Sequence, residues 1–173
     1  PREFILLHPQ MTSYHGGKQK IGREIAETIA DVMDDSKFKG YCEPFCGMLG
    51  VYQHIPSQFC DGHQRLEYLA GDANKSVIKM WKGLQDGWTP DTKPIAKAKF
   101  LALAKSGISS AEKGFIGHQY GYMGKYFKPF KERTQEANKK VVNKLVDIAQ
   151  ELSNVKFSEG EYTQFSGLKN FVI

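Results

Sequence analysis

Three stretches of this chain hold residue types whose spacing suits chemistry: Tyr14-His15-Gly16-Gly17-Lys18, Tyr41-Cys42-Glu43-Pro44-Phe45-Cys46-Gly47-Met48-Leu49-Gly50-Val51-Tyr52, and Gly71-Asp72-Ala73-Asn74. The second begins as an apolar-aromatic run that reads as a buried strand, and Pro44 stops it because proline cannot donate to a sheet ladder. Gly47 and Gly50 then give a turn clear of side chains, and Val51-Tyr52-Gln53-His54-Ile55 resumes a helical pattern. Strand, glycine turn and helix let backbone approach a nucleotide-like ligand, although an ordinary turn has the same composition. In the first stretch, a glycine pair and Lys18 feeding a helix suit an anionic group, and a plain turn before a helix would look alike. Asp72, at the carboxyl end of a strand, is placed for ribose hydroxyls; Asp72 or Asn74 is also placed to cap the next helix.

Gly114 to Phe130 is of a different kind. Its aromatics interleave with glycines and lysines and follow no clean period of 2 or 3.6. Rings suit wedging or stacking on bases and lysines suit phosphates; the plainer alternative is a glycine-rich loop pinned to the core by its rings. From Asp91 to Lys144 there are 12 Lys+Arg against 4 Asp+Glu, an excess of +8, whereas the whole chain carries 24 − 19 = +5. One basic segment on an otherwise near-neutral body suits a polyanion, or else a solvated lysine face. Cys42, Cys46, Cys60 and His63 have the chemistry for zinc, but no tight Cys-x-x-Cys pair exists, so buried free thiols are the default and no metal is expected.

The elements that must position these residues follow from periodicity. At 173 residues, 40% hydrophobic and 25% charged, the chain suits one globular domain with room for an inserted subdomain. No apolar run nears the roughly 18 residues of a membrane span. Sparse cysteine favours a reducing compartment, cytoplasmic or wherever DNA is held. Pro1 to Leu7 is too short for a signal peptide, and a start other than Met implies that something upstream was removed. Ile21, Ile25, Ile29 and Val32 or Met33 predict a helix to about Asp34, and Pro56 to Arg65 reads as a polar loop. Leu66 to Gly71 predicts a strand, and Val77, Ile78, Trp81 and Leu84 a helix face. After a Gly87, Pro90 and Pro94 break come a helix over Ile95 to Lys105 and a long one over Thr134 to Leu152. The buried stripe of the long helix is Val141, Leu145, Ile148, Ala149 and Leu152. Val155 to Tyr162 and Leu168 to Ile173 predict two more strands. Strands alternating with helices imply an α/β fold, a sheet with helices on both faces.

Taken in order along nearly the whole chain, these motifs resemble the Dam-like family of S-adenosylmethionine-dependent DNA adenine methyltransferases. Tyr14 to Lys18 is similar to the family's opening motif, and Glu43-Pro44-Phe45-Cys46-Gly47 to its cofactor loop, written Phe-x-Gly-x-Gly. Leu49 holds the place of the second glycine, and Gly50 follows. Gly71-Asp72-Ala73-Asn74 is similar to the ribose-binding motif, and Gly160-Glu161-Tyr162 to the segment that contacts the cofactor's adenine. The resemblance implies a Rossmann-like methyltransferase sheet with S-adenosylmethionine bound by Tyr14, Gly16, Gly17, Lys18, Pro44, Phe45, Gly47, Asp72, Glu161 and Tyr162. It implies a mainly helical target-recognition insert over 87–133 between core parts 1–86 and 134–173. Double-stranded DNA would be met by Tyr120, Tyr122, Lys125, Lys128, Lys131 and Arg133. In the family a flipped adenine is methylated by direct displacement beside an Asp-Pro-Pro-Tyr motif. That motif is expected beyond Ile173, on a downstream segment or partner chain, so no catalytic residue is assigned. The alternatives are a catalytically inactive module that binds DNA or cofactor, and an RNA-modifying relative.

Overall fold

The extended patterns come together as one sheet in the computed structural model, which describes residues 14–32, 38–55 and 66–173. Its strands are β1 (Gly40–Glu43), β2 (Glu67–Asp72), β3 (Lys156–Glu159) and β4 (Phe171–Val172). They are all parallel in the order β3-β2-β1-β4, with Tyr41 opposite Tyr68, Ala70 opposite Phe157 and Gly40 opposite Phe171. From β1 the chain steps outward to β2 and β3, then returns past β1 to β4. The direction of winding therefore reverses between β1 and β4. In open parallel sheets such a reversal opens a crevice at the carboxyl ends of the strands, where ligands bind.

The described residues hold five α-helices: α1 (Gly22–Val32), α2 (Lys75–Gln85), α3 (Lys97–Lys105), α4 (Ala111–Gln119) and α5 (Gln135–Glu151). Asn74, Ser110 and Thr134 cap α2, α4 and α5 by accepting from Ser76, Lys113 and Ala137 amides, which satisfies donors a helix start leaves free. The stripes of α2 and α5 are buried as their spacing predicts, from Val77 to Leu84 and from Val141 to Leu152. On α1 it is Ala26 that is fully buried; Ile25 and Ile29 are half-buried and Ile21 lies exposed just before the helix. Met33, Cys60 and His63 lie outside the described residues. So does the whole of the expected Pro56 to Arg65 loop, and the helical pattern expected over Val51 to Ile55 is a short 3-10 turn, Tyr52–His54.

The Gly114 to Phe130 run departs from the loop expectation. Its first six residues belong to α4, where Gly114 lets the helix lie against α2, since a Cβ there would fall 2.2 Å from the Ser76 carbonyl oxygen, and Gly117 makes room for the Tyr126 and Phe127 rings. With glycine on the contact face the apolar period is erased from the sequence while the packing is kept. Beyond α4 the chain folds back on itself, the Tyr122 amide donating to Pro129 O and the Lys131 amide to Tyr120 O, both at 2.8 Å. Phe100 of α3 packs on Phe127 and Phe130 at ring distances of 4.9 and 5.3 Å. Phe100, Phe115, Ile116 and Tyr120 share one apolar core with Ile78, Trp81 and Leu145, so this region is built onto the sheet domain. Among the described residues no helix is long and apolar enough to cross a membrane.

Candidate functional site

The carboxyl ends of β1 and β2, together with Tyr14 to Lys18, enclose a cavity of about 570 Å³. That volume lies within the range of small-molecule sites. Asp72 organises its floor. Its Oδ2 accepts from the Gly47 amide at 3.0 Å and its Oδ1 from the Asn74 amide at 2.8 Å. Each carboxylate oxygen keeps a second lone pair that a ligand hydroxyl can use. Asp72 therefore braces the turn that leads into α2, and Asn74 caps the helix itself.

The loop after β1 is packed backbone against backbone on the first motif. A Cβ on Gly50 would lie 2.9 to 3.0 Å from backbone atoms of Lys18 and Gln19, and one on Gly47 would strike the Tyr14 ring at 2.8 Å. Leu49 takes a left-handed conformation, φ 54°, although it is fully buried. The two services a glycine renders here are thus split between neighbours. Leu49 supplies the backbone turn and Gly50 supplies the close approach.

Phe45 stands at the cavity mouth, 70% exposed, with the Tyr162 ring 5.5 Å away and 55% exposed. Two adjacent exposed rings are an apolar surface fit to hold a flat ligand group. Pro44 lines the cavity beside Phe45, and Gly16, Gly17 and Lys18 form its rim. Glu161 is exposed and does not line the cavity.

Glu43 is the residue that motif reading passes over. It ends β1, lines the cavity and has an enclosed Oε2 with no hydrogen-bond partner among the described residues. Burial pushes its carboxyl up to about 8, against a bond from the Tyr52 backbone that works the other way. A carboxyl oxygen left unpaired at a cavity calls for a cationic or N–H donor from the ligand. Burial, with Asp72 and Cys46 nearby, likewise pushes the Tyr14 phenol up to about 12, so it stays a neutral donor. Behind Tyr14 lies buried His118, its ring 4.5 Å from that of Tyr14 and 4.8 Å from that of Tyr126. Burial lowers its basicity, and its Nδ1 meets Gly124 O at 3.0 Å, the same oxygen that accepts from the His15 amide at 3.1 Å.

The six residues expected at DNA are divided. Tyr122, Lys125, Lys128 and Lys131 are exposed. Tyr120 is 1% exposed, its hydroxyl bonded to Asn138 Nδ2 at 2.6 Å. Arg133 is spent internally on Asn138 Oδ1, Gln119 O and Ala137 O. For these two the expectation is corrected: the core has already claimed the ring and the guanidinium. Compared with families of known proteins and with curated protein sequences, the chain finds no match.

Proposed function

We propose that this chain binds S-adenosylmethionine in the cavity between β1, β2 and the Tyr14 to Lys18 motif, and presents it for methylation of the exocyclic amine of adenine in DNA. The observation that carries the reading is the fit of the acceptors and rings at the cavity. The unpaired Oε2 of Glu43 suits the ligand's ammonium, the spare lone pairs of Asp72 suit ribose hydroxyls, and Phe45 with Tyr162 at the mouth suits a purine face. When bound, S-adenosylmethionine supplies a methyl group activated on a sulfonium. The protein's part is to orient the cofactor from three sides and to exclude water behind Phe45. Lys125, Lys128 and Lys131, exposed on the fold-back beside α3, would meet backbone phosphates, with Tyr122 among them as the ring free to contact a base.

The assay is transfer of labelled methyl from S-adenosylmethionine to adenine in duplex DNA, with cofactor binding measured by calorimetry on the same sample. Label in adenine together with saturable cofactor binding supports the reading. Cofactor binding without label assigns the chain the binding and recognition parts only, the sequence holding no Asp-Pro-Pro-Tyr. Absence of both overturns the proposal.

A further inference from the structure

We infer that Trp81 is a positioning residue for the ligand-binding loop, acting through the carbonyl of Gly47. Trp81 is fully buried on α2, and its Nε1–H donates to Gly47 O at 2.8 Å. Its ring lies nearly parallel to that of Phe157 on β3, with 6.2 Å between centroids and 9° between planes, so the indole is fixed from its far side as well. The amide of the same glycine is the one held by Asp72 Oδ2 at 3.0 Å. Both backbone polar groups of one loop residue are thus clamped by side chains from two different elements. The neighbours are tied in turn: the Cys46 amide donates to Gly71 O at 2.9 Å and the Leu49 amide to Cys46 O at 2.7 Å.

A buried indole needs an acceptor, and many carbonyls would serve. This one belongs to the residue that touches both the acid and Tyr14, a glycine at a φ of 46°, whose many open conformations its bonds reduce to one. Clamping it presents the loop to a ligand in one conformation, so binding forfeits less freedom. Without the indole N–H the Gly47 carbonyl is left buried and unpaired. The Gly47–Met48 peptide is then free to turn, and because glycine couples it loosely to the Cys46–Gly47 peptide, the amide that Asp72 holds is steadied from one side only. The inference deepens the proposed function and rests on it.

The test replaces Trp81 with 3-benzothienylalanine, which keeps the ring's shape and puts sulfur in place of N–H. The expected result is S-adenosylmethionine binding weaker by about tenfold, the scale of one buried hydrogen bond, with 7-azatryptophan, which retains the N–H, binding as tightly as the wild type. Equal affinity of all three overturns the inference. A second arm needs no ligand: hydrogen exchange at the Gly47 amide should speed up by about tenfold relative to Ala70 in the benzothienyl protein. Unchanged exchange overturns the clamp, whereas a wild type that fails to bind S-adenosylmethionine sinks the proposed function and leaves the clamp to the exchange result.

Discussion

Replacing Asp72 by alanine takes the acceptor from both the Gly47 and the Asn74 amides, so loop geometry and ligand contact fail together. The expected outcome is at least a tenfold loss of S-adenosylmethionine affinity, with about 1–3 kcal/mol of stability lost from the two unpaired donors. Unchanged affinity by calorimetry would remove Asp72 from the ligand site. Glu43 makes a prediction in pH. Its folded value of about 8 stands above the unfolded value of about 4.3, so the native state binds the extra proton between them. Its contribution is complete at low pH and is lost as pH rises through about 8. Thermal melts at pH 5.5 and 8.5 should show a fall for the wild type that Glu43→Gln reduces; equal falls would refute it. A ligand ammonium beside Glu43 would drive the proton off, so the binding heat near pH 7 should differ between buffers of unlike ionisation enthalpy. At Leu49 the usual ranking of small residues reverses. Leu49→Ala loses buried side chain and keeps the left-handed strain, whereas Leu49→Gly also relieves about 1–2 kcal/mol of it. Denaturant melts should find the glycine variant the more stable of the two.

At the scale of elements, α5 holds the 87–133 region through one fully buried side chain, Asn138. Its Nδ2 donates to Thr92 O at 3.0 Å and to the Tyr120 hydroxyl at 2.6 Å, and its Oδ1 accepts from Arg133 Nε at 2.9 Å. Asn138→Ala strands all three partners at once and should cost about 2–4 kcal/mol in chemical denaturation. A loss under about 0.5 kcal/mol, the size of an ordinary surface change, would show that this hub holds nothing. Asn138 was invisible in the sequence because its value comes from partners in two other segments. Tyr120 and Arg133 were misassigned for the same reason: an aromatic and a cation among lysines look alike whether they face DNA or a buried amide. By contrast α2, α5 and the four strands were legible, since apolar spacing within one element dictates which face is buried. Gly47 and Asp72 could be read from local motif grammar. Glu43 and Trp81 acquire their roles only when β1, β2 and α2 meet, and no local pattern announces that.

For the whole molecule, the basic excess between Asp91 and Lys144 includes the exposed Lys125, Lys128 and Lys131, on a fold-back packed against the core. Duplex affinity followed by anisotropy from 50 to 200 mM salt should fall steeply, because each phosphate contact releases counterions. Changing Lys125, Lys128 and Lys131 to glutamine should weaken binding uniformly across sequences and flatten the logarithmic slope by about three. A slope unaltered by all three changes would place the phosphates elsewhere. The carbonyl of Gly124, which receives both the His15 amide and His118 Nδ1, bears on heredity as well as on packing. It bolts the fold-back to the segment bearing Tyr14, so neither can be exchanged with a relative's without disturbing the other. A chimera that imports residues 87–133 alone would seat the His15 amide on a foreign carbonyl, and one that also imports 14–18 would carry its own matched joint. The two distant segments would therefore have to be inherited as a pair.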